Sequence, residues 1–344
     1  HAWVEGIGER LTPIALPRGH LVLVKPPGGA STPQIFADPA LKRDSKTATI
    51  QGFAANGNLD SLMARQVMDL LEQINGMGAT IVMVDIDYWS GCIDPAAAER
   101  AITPRTRVLL ASNVNGHPAQ WTALRTLADQ HGLKLLEDST EAVGSRYQGR
   151  RVGAFGDAAV FDFSQPSALC TGQGGMVVCD DFSLADELRY LRERRLSDRR
   201  SVSVGSRVPW QASMGEIDAA VGLAQLSRID DILLRRKHVE AWYQTEMQSF
   251  EGIKPPYLAE DVDEVHWMLY KIHLGKRFTA SARNQLIEDM DSNNVETAAY
   301  CQPLHQQFHY QQRGWKRGSL PNTERIGDRS LVLPFHCHLD EDEV

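Results

Sequence analysis

Four side chains near the middle of this 344-residue chain bear on chemistry: Asp138, Glu141, Asp162 and Ser167. Asp138 closes the apolar run Leu133–Glu137, where a carboxylate can serve a reaction or simply cap the turn that follows. Glu141 and Asp162 add two more negative charges. Ser167 lies in the run Phe161-Asp162-Phe163-Ser164-Gln165-Pro166-Ser167-Ala168-Leu169-Cys170-Thr171-Gly172-Gln173-Gly174-Gly175. A serine hydroxyl cannot form an imine with a carbonyl, and it is a poor shuttle for protons between carbon atoms. No amine is close in sequence, because there is no lysine between Lys134 and Lys237. His117 and His305 are the candidate bases for proton transfer, at positions that sequence does not fix. His336-Cys337-His338 is the one metal-like run, but neighbours on a strand point to opposite faces, which disfavours a shared ion.

The elements that must position these residues alternate in type. Expected strands are Thr80–Val84, Val108–Ser112, Leu133–Glu137, Ala158–Phe163 and Met176–Cys179, with helical segments such as Pro95–Ala101 and Thr122–His131 between them. Such alternation predicts a parallel sheet with helices on both faces. A helix is expected from Asp180-Asp181-Phe182-Ser183 through Arg195, capped by Asp or Ser and ending in basic residues. A second, long helical pattern runs from Met214 to Met247 and leads into a compact α+β region with a strand at Trp267–Leu274 and a helix at Ala280–Asn293. The domain boundaries expected are 1–57, 58–237 and 238–344.

Composition narrows the function. A net charge of -8 argues against nucleic-acid binding, which needs a basic surface. No apolar run approaches the ~18 residues of a membrane span, and no signal-peptide pattern opens the chain. Five scattered cysteines without C-x-x-C spacing fit reduced thiols in a cytoplasmic protein. The chain opens on His1 and stops on an acidic run, so both ends read as cuts through a longer reading frame.

From Gly78 onward the chain resembles the DegT/DnrJ/StrS sugar aminotransferases. The match runs through Gly78–Asp87, Ile93-Asp94-Pro95, Ala101–Thr106, Gly116–Ala119, Gly132–Asp138, the run 161–175, Met214–Leu223 and Tyr300–His305. The resemblance implies an α/β fold-type-I pyridoxal phosphate transferase: a large domain, a smaller C-terminal α+β domain, and a homodimer with sites at its interface. It also implies a nucleotide-sugar ligand and pyridoxal phosphate as cofactor. By the same resemblance Asp138 stands where the family holds the pyridine nitrogen, and Ser167 stands where it has the imine-forming lysine. Asp162 falls on a phosphate-binding serine, Glu141 on a glutamine near the ring oxygen, Gln211 on an asparagine supplied by the partner subunit, and Ser213 on an arginine. A carboxylate beside a phosphate dianion repels it, by roughly several kcal/mol where solvent is scarce.

The expected function is therefore a sugar-aminotransferase homologue disabled in catalysis, acting as a binder of sugar nucleotides or as the partner of an active paralogue. The alternatives are an enzyme that uses pyridoxamine phosphate without an internal imine, and a chimera without activity. Residues 2–55 resemble a central piece of diphosphocytidyl-methylerythritol kinase, of the GHMP kinase superfamily. The resemblance rests on Glu5–Pro13, Lys25-Pro26-Pro27 and Ser31–Asp44, and it puts Phe36 where that family stacks a cytosine. The glycine-rich ATP loop of that family is missing, so kinase activity is not expected.

Overall fold

The computed structural model describes residues 2–5, 10–13, 78–164, 166–192, 212–248, 250–300 and 302–344. The chain divides into two units, His1–Leu59 and Asp60–Val344. In the first, β1 (Ala2–Glu5) and β2 (Arg10–Pro13) pair antiparallel, Ala2 opposite Pro13 and Glu5 opposite Arg10. The remainder of the kinase-like segment, Phe36 included, lies outside the described residues, as do Gln211 and the basic run after Arg192.

The second unit is built on a four-stranded sheet. Helix α1 (Pro95–Ala101) starts where the sequence predicts, because Asp94 accepts the N–H groups of Ala96 and Ala97 and Pro95 occupies the first turn. Strand β3 (Val108–Ser112) follows, then α2 (Trp121–His131), which Gly132 ends in a left-handed conformation. Strands β4 (Lys134–Asp138) and β7 (Ala158–Asp162) continue the sheet in parallel, with Ser112 level with Asp138 and Asp138 level with Val160. Two short strands, β5 (Arg146–Tyr147) and β6 (Arg150–Arg151), intervene before β7 and form a hairpin. The sheet departs from the parallel expectation at β8 (Gly175–Val178), which runs antiparallel to β7 after the loop 163–174. That loop holds no helix among its described residues to carry a parallel crossover.

The expected strand at 80–84 does not form. A strand needs a ladder partner, and among the described residues this segment has none; only the isolated bridge Ile86–Ile93 is made. Asp85 instead accepts the Asn322 and Thr323 N–H groups and the Thr323 hydroxyl. It thereby caps the helix Pro321–Arg329 far along the chain.

Helix α3 (Phe182–Arg192) is capped by Asp181, whose carboxylate accepts the N–H groups of Ser183 and Leu184. The long helical pattern of 214–247 divides into α4 (Glu216–Leu226) and α5 (Ile229–Met247), broken at Ser227 and Arg228. The Ser227 hydroxyl donates to the Ala224 carbonyl, a local bond that competes with helix continuation. A second four-stranded sheet follows, β9 (Ile253–Lys254), β11 (Tyr270–Leu274), β12 (Ala298–Ala299) and β13 (Ser330–Leu333), in the order β12-β13-β11-β9. Strand β10 (Val262–Glu264) pairs with β5 of the earlier hairpin. Helix α6 (Ala280–Ser292), the short α7 (Phe308–Gln311) and α8 (Pro321–Arg329) complete the chain. One buried cluster joins Trp121, Leu124 and Leu135 to Val239, Tyr243, Tyr270 and Leu331.

Helix α5 reaches the second sheet through Arg236, which donates to the carbonyls of Trp267 (2.7 Å), Met268 (2.6 Å) and Phe335 (3.3 Å) and lies over the Phe335 ring. Burial lowers its pKa to about 10, and the ring of carbonyls replaces the water that the cation has lost. No described helix is long and apolar enough to cross a membrane.

The loops that frame the parallel strands converge on Glu137. Its buried carboxylate accepts Asn113 Nδ2 (3.1 Å), the Ser139 hydroxyl (2.8 Å), and the N–H groups of Gly153 (2.5 Å), Phe155 (2.9 Å) and Gly156 (3.3 Å). An amide in its place would turn two donors toward donors. Glu137→Gln is therefore expected to cost about 3 kcal/mol, read as a lower urea midpoint. An unchanged midpoint would show that these bonds contribute nothing net.

Candidate functional site

The carboxyl ends of β3, β4 and β7 lie side by side, which in open α/β sheets is the edge where ligands bind. Ser112, Asp138, Thr140, Glu141, Asp162, Ser164 and Ser167 are all partly open to solvent there. The Ser112 hydroxyl donates to Asp138 Oδ2 (3.2 Å) and the Thr140 N–H to Oδ1 (3.1 Å). The Thr140 hydroxyl in turn accepts the Asp162 N–H at 3.0 Å, which links the ends of β4 and β7. The Asp162 carboxylate closes on its own turn, taking the Ser164 N–H and hydroxyl, both at 2.8 Å.

Ser167 sits in a loop that is fixed at both ends. Thr171 N–H donates to Phe163 O and Phe163 N–H to Gly174 O, while the Gln225 side chain of α4 binds both the N–H and the carbonyl of Cys170. Within that loop the Ser167 hydroxyl donates to the Leu169 carbonyl (2.8 Å) and accepts the Leu169 N–H (3.3 Å). These are the bonds of a plain turn serine.

Glu141 occupies the single 3₁₀ turn after β4 (Thr140–Ala142) and meets groups from both sheets. Its Oε2 accepts the Asn115 N–H at 2.5 Å and the Tyr300 hydroxyl at 3.4 Å. The residue is half-buried while its carboxyl is shut off from water. Burial, reinforced by the Asp138 charge, pushes its pKa up to about 7, against the opposing pull of Asn115, Lys271 and Tyr300. Lys271 is 2% exposed on β11, with its ammonium 5.0 Å from the centre of the Tyr300 ring.

Asn115 makes this juxtaposition. It adopts a left-handed conformation (φ 53°), open to asparagine at modest cost. Its Oδ1 accepts the Leu269 N–H (2.9 Å) and its carbonyl the Met268 N–H (3.3 Å), so β11 begins against the end of β3. Gly116 follows at φ 95°, where a Cβ would collide with the His266 carbonyl.

The two candidate histidine bases lie elsewhere. His117 is buried, with Nδ1 bonded to the Pro118 carbonyl (2.7 Å) and Nε2 accepting the Ala259 N–H (3.2 Å). Burial lowers its pKa, and both nitrogens are taken by backbone. His305 is fully buried against Glu324 (2.9 Å), and Tyr310 is buried too. His305 is thereby tied to α8 through Glu324 and is closed to solvent. The His336 and His338 rings lie tilted at 45° with their centres 6.3 Å apart, and no group of three ligands suited to a metal occurs among the described residues.

The side chains at the positions that the family resemblance gives to the cofactor include a carboxylate, Asp138, and Ser167 in place of an amine. Asp162, at the position that the resemblance gives to a phosphate-binding serine, is bonded to its own turn. This set does not fit an imine-linked pyridoxal phosphate. Lys271 and Tyr300 were not singled out as site residues by sequence reasoning. The one available signal was a lysine inside the apolar run Tyr270–Leu274, where strand burial is otherwise continuous.

An α/β chain with polar groups gathered at the carboxyl ends of its parallel strands has the arrangement of an open-sheet ligand-binding fold. Residues 71–344 match the DegT/DnrJ/EryC1/StrS aminotransferase family, and the chain belongs to that family. It is 36% identical over 276 residues to dTDP-3-amino-3,4,6-trideoxy-alpha-D-glucose transaminase of Streptomyces venezuelae, covering 79% of this chain and 69% of that one. It is 33% identical over 268 residues to GDP-perosamine synthase of Caulobacter vibrioides, covering 78% and 71%. The crystal structure of S. venezuelae DesV in complex with a ketimine intermediate superposes with a TM-score of 0.71 at 34% identity, over 79% of this chain and 71% of that one.

Glu141 leaves a signature in stability. Its folded pKa of about 7 lies above the ordinary 4.5. The native state therefore holds a proton that the unfolded chain releases, and stability falls as pH rises between those values. Below that window and above it the group contributes no slope. Glu141→Gln is expected to flatten the slope, checked by urea unfolding across that range. An unaltered slope would place the titration on another group.

Proposed function

We propose that this chain binds nucleotide sugars and does not transaminate them. The observation that supports the reading best is Ser167, whose hydroxyl closes a turn on Leu169 at the position the family resemblance gives to the lysine. Asp162 and Glu141 add charge unfavourable to a phosphate, whereas the carboxyl-end cleft and the family membership favour a sugar ligand. The two relatives named above are enzymes of dTDP- and GDP-linked sugars by name, and that ligand class carries over here as part of the proposal.

We further propose association through the face formed by β8, α3 and α4, with a second copy or with a lysine-bearing paralogue. Phe182 is 87% and Leu223 70% exposed, with Met176, Val177, Ile217 and Leu226 also open, and neither helix has a buried residue. Large apolar side chains this exposed support an interaction surface. The four described cysteines are unpaired thiols, in keeping with a cytoplasmic location.

Titration with pyridoxal phosphate and pyridoxamine phosphate, followed by absorbance, tests the reading beside calorimetry with a dTDP-sugar. The expected result is saturable sugar-nucleotide binding without an imine band. Ser167→Lys should bring the band back, with aldehyde binding tighter by about tenfold or more. An imine band or amino transfer from glutamate in the unaltered chain would overturn the proposal. Saturable pyridoxamine phosphate binding would favour the lysine-independent enzyme instead.

A further inference from the structure

A groove of about 550 Å³ opens to solvent between helices α1 and α2, the turn of the β5–β6 hairpin and Asp261, just before β10. None of its lining residues belongs to the cleft at the carboxyl ends of the strands. Leu127 and Tyr147, both buried, form its floor. Thr122, Thr126 and Gln130 line one wall; spaced four residues apart on α2, they share one face of the helix and are exposed. Opposite them stands Gln148, and the pairing of Val262 with Tyr147 sets Asp261 beside it. Three of these groups close a ring of hydrogen bonds. The Tyr147 hydroxyl donates to Thr122 Oγ1 (3.2 Å), the Thr122 hydroxyl to Gln148 Oε1 (3.1 Å), and Gln148 Nε2 back to the Tyr147 oxygen (3.3 Å). Each group keeps bonding capacity beyond the ring, including the second amide proton of Gln148.

We propose that this groove binds an unphosphorylated amino sugar, its ammonium facing Glu99 and Asp261 and its hydroxyls meeting Thr122, Thr126 and the glutamine amides. The volume falls in the range of about 300–1,000 Å³ usual for small-molecule sites. The charge of the lining selects the ligand: Glu99 and Asp261 are its two ionisable acids, and no lysine, arginine or histidine stands among the lining residues. A phosphate or nucleotide would meet two like charges and no counter-charge. A cation without hydroxyls would leave the row of threonine and glutamine groups unmatched. Sugar hydroxyls both donate and accept, as these side chains do. The C–H face of the ring can rest on Leu127 and Ala123. The site is separate from the nucleotide-sugar reading and stands without it.

The backbone of the hairpin turn is fixed for this arrangement. Gln148 adopts a left-handed conformation (φ 48°), which costs a glutamine more than a glycine or an asparagine. Glycine would supply no amide to the ring, and the asparagine amide is one methylene shorter. Gly149 follows at φ 77°, and its N–H donates to Asp263 Oδ2 (2.6 Å), which ties the turn to β10. The groups that meet the ligand are therefore held in place before it arrives, which lowers the ordering cost of binding.

Saturation-transfer NMR on the full chain with glucosamine, glucose and glucuronate tests the inference, in mildly acidic buffer where the sugar amine is protonated. Each titration is repeated with excess dTDP, which occupies a nucleotide-sugar site and should leave this groove open. The expected result is saturable glucosamine binding, about fivefold tighter than glucose, with no signal from glucuronate and no displacement by dTDP. The double variant Glu99→Gln, Asp261→Asn should bind glucosamine and glucose alike. Gln148→Ala should weaken both sugars by a similar factor, roughly fivefold. No saturable glucosamine binding, equal affinity for glucose in the unaltered chain, or a preference that survives in the double variant overturns the inference. Displacement by dTDP would move the sugar to the nucleotide-sugar site and overturns it as well. The measurements on the unaltered chain decide the matter even where a variant fails to fold.

Discussion

The Glu137 carboxylate is the constraint on which the site depends. Two oxygens collect three backbone N–H groups from 153–156, the Asn113 amide and the Ser139 hydroxyl. Asn113 passes the restraint on, because its Oδ1 accepts the Ala119 N–H and the Trp121 indole N–H, both at 2.9 Å. The loop before α2, the turn after β4 and the loop before β7 are therefore pinned to one anion. A buried charge is tolerable only when its lone pairs are filled, so each of these loops is held by the cost of releasing it.

Residues on one strand then serve opposite purposes. Successive side chains point to opposite faces, so Glu137 turns inward to organise the loops while Asp138 turns to the cleft. Asp138 keeps two donors and partial solvent, whereas the Glu141 carboxyl loses water, and burial pushes the Glu141 pKa up to about 7. Asn115, Arg236 and Asp85 tie the rest of the chain to the second sheet and its helices. The first joins the sheet ends, the second ties α5 to the backbone before β11, and the third caps α8 from the far side of the sequence.

Ser167 is held in place, because its loop is bonded at Phe163, Cys170 and Thr171 and its hydroxyl is bonded within it. The architecture does not depend on that position, since the Glu137 centre and the helix caps do not involve it.

The sequence by itself determined the local elements and the family. Asp94 with Pro95, Asp181 and Gly132 mark their helix ends because capping is a matter of neighbouring residues. The spacing of Asp138 and Ser167 within their motifs was legible for the same reason. Tertiary structure alone decided what depends on distant partners. The 80–84 segment reads as a strand but finds no described ladder, and the pattern of 214–247 conceals a break. His117 and His305 read as available bases, and packing buries both. The meeting of Glu141 with Lys271 and Tyr300 lay beyond reach, since they are more than a hundred residues apart and no local pattern encodes which side chains two sheets will press together.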